Sequence, residues 1–429
     1  MAGNSSLGDA KRNKNDEFYT KYQDIESEMN AYYEFNHDVF RGKTILCPCD
    51  DPEWSNFTKY FAANFERFGL KKLICTSYAK SAGNRQLSLF EGNSPLYDAD
   101  KHETHGKLFT LTRDTDGSGI IDNDDVEFNG YLEGDGDFRS AEVTKLRDEA
   151  DIIITNPAFS LFREFLKWIM DGRKQFAIIG NMNAITYKEV FPKLKNNEMW
   201  LGASIHSGDR AFNVPDDYPL DAAGCGIDDN GHKYIRVKGV RWFANIDFAK
   251  RHQPMQLDTM AHNLKYNKKL RKKLITTFSQ DESDLYYPHY DNYAAIEVPF
   301  SECIPSDYDG VMGVPISWLD KHAVNDGFEI VNANDYRKYP SVPIKASGLV
   351  KDKEASITLS NSRERESHNI CTNPHQENCL HQELTDGISM ADVCMPVSLL
   401  RSYDDMVARP VIGHIKTYRR IFIRKDKRN

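Results

Sequence analysis

Short apolar runs alternate along this chain with stretches in which large side chains recur every three or four positions. Residues 43–47 form one such run, closed by Pro48-Cys49-Asp50-Asp51-Pro52. Residues 54–68 then place Trp54, Phe57, Phe61, Phe65 and Phe68 at helical spacing, which predicts one amphipathic helix. Residues 71–76 read as a second strand. Strand, helix and strand in this order make a βαβ unit, hence a parallel sheet with a right-handed crossover. Upstream, residues 15–29 predict a loop running into a helix, with Ile25 and Met29 one turn apart. Residues 80–135 are polar and Gly-rich and predict a long surface excursion. The sheet resumes at 151–155, followed by a helix over 160–170 with Leu161, Phe165 and Trp168 inward, and a strand over 175–180. An apolar stretch at 199–205 and a hairpin, with one arm at 233–237 or 240–246, complete it. The fold class is therefore α/β, with a mainly parallel sheet that ends in an antiparallel hairpin. Beyond Pro254 the chain turns basic, Tyr-rich and Pro-punctuated, which sets a domain boundary near residue 250. No internal repeat is visible.

Composition narrows the class. The 429 residues are 40% hydrophobic and 28% charged, as in soluble globular proteins. No run approaches the ~20 apolar residues of a membrane span, and the polar first residues lack a secretory segment. Eight scattered cysteines in such a chain predict reduced thiols and a cytoplasmic location. The net charge of −9 is unevenly spread. Residues 114–137 hold nine acidic side chains and no Lys or Arg, whereas 265–274 and 416–428 are strongly basic. Such basic patches can neutralise phosphates. Each is also what a solvated helix face looks like.

The chemistry concentrates at residues 151–159. A buried-strand signal there ends in Asn156-Pro157-Ala158-Phe159. Ligands of open α/β sheets collect outside the carboxyl ends of the strands. A carboxamide oxygen and a Pro carbonyl in that place can accept both protons of an exocyclic amine, and an aromatic ring can stack on the base that carries it. The plainer reading is a strand, a Pro turn and a core Phe. Asp50 or Asp51, just past the first strand, could meet a cofactor. No Gly-x-Gly accompanies them. The pair Asp137-Phe138 precedes the Asn-Pro strand by about a dozen residues.

Four segments occur in a telling order: Asp-Glu-Phe-Tyr-Thr ending at Thr20, Leu-Cys-Pro-Cys-Asp-Asp-Pro-Glu-Trp-Ser-Asn-Phe ending at Phe57, Gly-Asp-Gly-Asp-Phe-Arg-Ser ending at Ser140, and Asn-Pro-Ala-Phe-Ser-Leu-Phe-Arg-Glu from Asn156. Together with the segments 240–246, 312–316 and 418–424 they resemble the EcoRI-type adenine-specific DNA methyltransferase family, in the gamma order of amino-methyltransferases. The resemblance covers most of residues 14–424 and weakens between about 350 and 400. It implies a lead-in at 1–13, a Rossmann-like S-adenosylmethionine-dependent catalytic domain at 14–253, and a target-recognition domain at 254–429 with an insertion at 352–398. By motif, Asn156, Pro157 and Phe159 would grip and stack the target adenine. Tyr19, Thr20, Pro48, Asp50, Asp137, Phe138 and Asn156 would line the S-adenosyl-L-methionine site. No metal is required. The implied partner is double-stranded DNA, from which the adenine must be flipped at a cost of a few kcal/mol. A restriction–modification partner, an orphan enzyme and a phage protection enzyme all fit. The sequence does not specify an oligomeric state, and a monomer suffices for this chemistry. Ala158 departs from the family, which has a second Pro there, and predicts a looser site. The same grip would also suit RNA or a protein glutamine, and a DNA-binding relative disabled at Ala158 is the non-enzymatic alternative.

Other motifs carry less. Residues 114–125 match a calcium-binding EF-hand loop except for Asp125 in place of Glu, but the flanks read as strands, which favours an acidic turn. Cys371, His375, Cys379 and His381 are zinc-type ligands without a zinc-site spacing, and read as a surface loop. His206, His252 and His289 have no evident sequence partner, and the Tyr cluster at 286–290 reads as packing.

Overall fold

The computed structural model describes residues 19–79, 92, 94–206, 208–214, 220, 224–229, 231–338, 410–412 and 415–426. The insertion at 352–398 and the Cys371/His375/Cys379/His381 cluster lie outside the described residues. The chain divides into two compact units, one of Met1–Met255 with Leu319–Asp326 and the other of Gln256–Trp318 with Gly327–Asn429.

The first unit is built on an eight-stranded sheet. Its centre is four parallel strands, β1 (Thr44–Cys47), β2 (Lys72–Thr76), β5 (Ile152–Thr155) and β6 (Gln175–Asn181), in the spatial order β2-β1-β5-β6. Every residue of β1 and β5 is buried, as expected of strands covered on both faces. Before β1 runs helix α1 (Tyr22–Phe35), which buries Ile25 and Met29. The βαβ unit is present, but its crossover is not one helix. It breaks into α2 (Asn56–Ala63) and a single turn α3 (Phe65–Phe68). Asn64 causes the break. Its side chain donates to the Tyr60 carbonyl (2.9 Å) from a non-helical backbone, the kind of local bond that competes with a helix. Phe57, Phe61, Phe65 and Phe68 are buried as their spacing predicts. Trp54 is 43% exposed because the helix starts only after Ser55.

Two further corrections concern the sheet edges. The segment expected to be an excursion contributes β3 (Lys107–Leu111) and β4 (Glu127–Tyr131), the strands read on either side of the acidic loop, and these extend the sheet antiparallel beyond β2. At the other edge the apolar stretch 199–205 yields only the short β7 (Trp200–Leu201). The long arm is β11 (Val240–Ala244), antiparallel to both β6 and β7 and lying between them. The neighbouring β10 (Lys233–Lys238) instead joins β8 (Asp209–Asn213) and β9 (Cys225–Ile227) in a separate three-stranded antiparallel sheet. Gly239, at φ +70°, makes the turn that sends consecutive strands into different sheets. Helices α4 (Ala141–Glu149) and α5 (Phe162–Asp171) flank β5, and α6 (Phe191–Lys195) follows β6.

The second unit holds helices α7 (Met260–Tyr266) and α8 (Lys268–Phe278). Its four-stranded sheet is β12 (Ile296–Glu297), β13 (Met312–Pro315), β17 (Arg420–Lys425) and β14 (Phe328–Val331), with a two-stranded ribbon β15 (Val411–Ile412) and β16 (Ile415–Lys416). Tyr290 stacks on Phe422 at 5.9 Å and its hydroxyl bonds to buried Glu297, which also pairs with Arg420 at 2.5 Å. The Tyr cluster is thus mostly packing, with Tyr286 left exposed. Among the described residues no helix is long and apolar enough to cross a membrane.

Candidate active site

At the carboxyl end of β1 the chain turns sharply through Pro48 and Cys49, the latter at φ +63°. The Cys49 N–H bonds to Thr76 Oγ1 at the end of β2 (3.1 Å). Asp50 follows and is buried. Its Oδ1 accepts from Ser55 Oγ (2.7 Å), which in turn accepts from the Phe57 N–H and so caps α2. Its Oδ2 lies 2.6 Å from Thr155 Oγ1, and that hydroxyl is also 3.1 Å from the Pro48 carbonyl. Thr155 has one proton for two acceptors. If Asp50 is protonated, it donates to Thr155 and Thr155 donates to Pro48, so every group is satisfied. In accord with this, burial pushes the Asp50 carboxyl up to about 7, against the opposing hydrogen bonds from Ser55 and Thr155. Among the described residues no Lys, Arg or His pairs with it.

Asn156 comes directly after Thr155, so Asp50 and Thr155 together fix where the carboxamide begins. The Asn156 side-chain oxygen is buried, as is Pro157. Phe159 is half-buried and meets Phe212 of β8 edge-on, with centroids 6.5 Å apart at 85°. The next residue on β8, Asn213, exchanges both backbone hydrogen bonds with Tyr19 (2.9 Å each). The adjoining Thr20 carbonyl accepts from Asn56 Nδ2 at the start of α2 (2.7 Å). These contacts close a ring that runs Asn156, Thr155, Asp50, Ser55, Asn56, Thr20, Tyr19, Asn213, Phe212, Phe159. On two residues of this ring, Thr20 Oγ1 and Asn213 Oδ1 are buried polar atoms with no hydrogen-bond partner. A buried acceptor without a donor costs roughly 1–3 kcal/mol, which a polar ligand would relieve.

Asp137 and Phe138 sit on the flank beyond β2. Gly136, at φ +86°, packs so tightly on the Ser77 carbonyl that no side chain fits there. Asp137 pairs with Arg139 (2.6 Å), which reaches on to Glu164 (2.7 Å). Phe138 is buried edge-on against Phe165 (4.9 Å) and Trp168 (5.6 Å). The ring therefore gathers Tyr19, Thr20, Asp50, Asn156 and Phe159, with Pro48 joined to it through Thr155, while Asp137 and Phe138 belong to the neighbouring β2 exit. Sequence reasoning missed Ser55, Thr155, Phe212 and Asn213. Ser55 and Thr155 carry a faint local signal, a cap and a last strand position. Phe212 and Asn213 carry none.

Asp114, Asp116 and Asp125 converge as the acidic loop suggested. Buried Asp125 spends its oxygens on the Thr115 and Asp122 N–H groups, and Asp114 on those of Gly117 and Gly119. The loop thus closes on its own backbone between strands, like an acidic turn. His252 stacks on Phe35 and pairs with Asp247, and His206 lies 3.6 Å from Asp320.

The family model described as adenine-specific methyltransferase EcoRI matches residues 6–379. The chain is 41% identical over 320 residues to the type II methyltransferase M.EcoRI of Escherichia coli, covering 75% of this chain and 86% of the relative. It is 31% identical over 360 residues to M.MgeORF184P of Mycoplasma genitalium, covering 83% and 95%. It is also 31% identical over 313 residues to M.MpnI of Mycoplasma pneumoniae, covering 72% and 80%. No solved structure matches. The chain therefore belongs to the EcoRI-type adenine-specific methyltransferase family, and it is a DNA methyltransferase.

Proposed function

We propose that this protein transfers a methyl group from S-adenosyl-L-methionine to N6 of an adenine flipped out of duplex DNA. The observation that carries the proposal is the closed ring of contacts joining Asn156 and Phe159 to Thr20 and Asp50. One strand, β8, serves both sides: Phe212 backs Phe159, and Asn213 holds Tyr19.

The residues suit a cationic donor. Asp50 is a buried carboxyl with no cation beside it among the described residues, and burial raises its hold on a proton. A positive ligand nearby would favour its ionised form. The orphaned oxygens of Thr20 and Asn213 add acceptors or donors for the donor's polar end. When bound, S-adenosyl-L-methionine supplies an electrophilic methyl on sulfur. Asn156 accepts one proton of the target amine through its carboxamide oxygen, and the Pro157 carbonyl accepts the other. Both contacts draw the nitrogen out of conjugation with the purine, which frees its lone pair. Phe159 stacks on the base and repays part of the loss of stacking in the duplex. Catalysis of this kind is positioning and polarisation by groups fixed in advance. Asp50 and Thr155 provide the fixing, because they clamp the residue before Asn156.

In this reading the second unit, Gln256–Trp318 with Gly327–Asn429, reads the DNA sequence, and Asp137 and Phe138 bound the donor's adenine. Incubation of duplex DNA, RNA and protein with methyl-labelled donor tests the substrate class. Label is expected in duplex DNA. Label confined to RNA or to protein glutamine would replace the proposal.

A further inference from the structure

Five of the six cations in the basic run at 265–274 sort into two kinds once folded, and the sixth, Lys273, is half-buried. Helix α8 buries Leu270 and Leu274 and is capped by the Asn267 side chain, which accepts from the Leu270 N–H (3.0 Å). Lys269 and Arg271 serve the second unit itself. Lys269 pairs with Glu302 at 2.7 Å and covers Phe300, and Arg271 pairs with Glu282 at 2.9 Å. Lys265, Lys268 and Lys272 are exposed, and none of them has an acidic partner among the described residues. Beside them Tyr266 is 57% exposed, flanked by the Lys265 ammonium (5.0 Å) and the His262 ring (4.7 Å). His262 takes up the nearby Asp258 (3.2 Å).

Helix stability does not account for this arrangement. From Met260 to Phe278 there is no Asp or Glu. Lys268 stands in the first turn of α8, where the helix dipole disfavours a positive charge. It also faces Lys272 one turn on, a like-charge pair that destabilises a helix. Exposed cations one turn apart that oppose their own helix, preceded by Lys265 and an open aromatic ring at the end of α7, complement a polyanion.

We propose that Lys265, Lys268 and Lys272 form a phosphate-docking stripe for the backbone of the substrate duplex, with Tyr266 packing against sugar. This rests on the reading of the protein as a duplex-DNA enzyme and adds which residues contribute sequence-independent affinity. Each neutralised phosphate contributes about 0.9 to the slope of log affinity against log salt.

The test is duplex binding by the full-length protein between 50 and 200 mM salt, comparing wild type with Lys268→Gln/Lys272→Gln and with Lys269→Gln. The double variant should lose about 1.8 from the slope, so that its affinity falls roughly tenfold less across that range. It should keep or raise its unfolding temperature, since a repulsive pair is removed. Lys269→Gln, which breaks an internal pair, should leave the slope unchanged. An unchanged slope in the double variant beside a binding wild type would overturn the inference alone. So would an equal loss in Lys269→Gln, which would mark a general effect of net charge. A wild type without affinity for duplex DNA would overturn the inference together with the functional reading.

Discussion

Replacing Asp50 by Asn tests the electrostatics of the site most sharply. Asn has the same shape, and its amide can donate to Thr155 while its oxygen accepts from Ser55, so it mimics protonated Asp50 in the observed network. The carboxyl is raised from 3.8 to about 7 by burial. A group raised in the folded state gives its full stability below the unfolded value and loses it as pH rises through the folded value. Stability without cofactor should therefore fall between pH 4 and 7. The difference of about three pKa units corresponds to about 4 kcal/mol. Asn cannot ionise, so Asp50→Asn should be the more stable protein at pH 8, by on the order of 10 °C in the first unit, and equal to wild type near pH 4. The donor should reverse the order, because its positive charge stabilises ionised Asp50 and does nothing for Asn. Thermal unfolding at pH 4, 6 and 8, with and without S-adenosyl-L-methionine, reads all of this. A variant whose unfolding temperature follows the same pH course as wild type would refute the reasoning. So would a variant that binds the donor as tightly as wild type at pH 8.

Further outcomes follow from the same contacts. Asn156→Ala should keep donor affinity within a few-fold and lower kcat by about 10²-fold or more, as for loss of a preorganised polar contact. Titration calorimetry and methyl transfer check it. Phe212→Leu should leave donor binding intact yet lower kcat, because Phe159 loses its edge-on support, and reduce the fluorescence rise of 2-aminopurine placed at the target base. Ala158→Pro should raise turnover by stiffening the turn before Phe159, measured as kcat under saturating donor. In the second unit, Arg420→Met should destabilise by about 3–5 kcal/mol, since it leaves buried Glu297 with the Tyr290 hydroxyl but no cation. Denaturant unfolding reads that loss.

Much of this architecture was legible because burial writes itself into local pattern. The parallel strands β1, β5 and β6 are unbroken apolar runs, and Asn156-Pro157 stands at the end of one of them. Elements at the sheet edges were harder. β3 and β4, five residues each amid Gly and Asp, read as strands beside the acidic loop, but no local signal placed them in the same sheet as β2. The Trp54–Phe68 spacing concealed a break, because periodicity ignores what the Asn64 side chain does to the backbone. The site was half legible for a related reason. Residues that touch ligand belong to short motifs, whereas those that hold them do so across the fold. Phe212 supports Phe159 from 53 positions away, and Thr155 meets Asp50 across 105. Asp50 stood out as a strand-end carboxylate. Its burial, which gives the residue its electrostatic character, is a property of the assembled sheet.

The central claim is that Asn156 polarises an adenine amine beside the methyl donor. Mass spectrometry of nucleosides from duplex DNA treated with isotopically labelled donor tests it directly. Wild type should yield labelled N6-methyladenine, and Asn156→Ala, still binding donor, should yield almost none. Equal yields from the two proteins, or label found only on cytosine, would contradict the account.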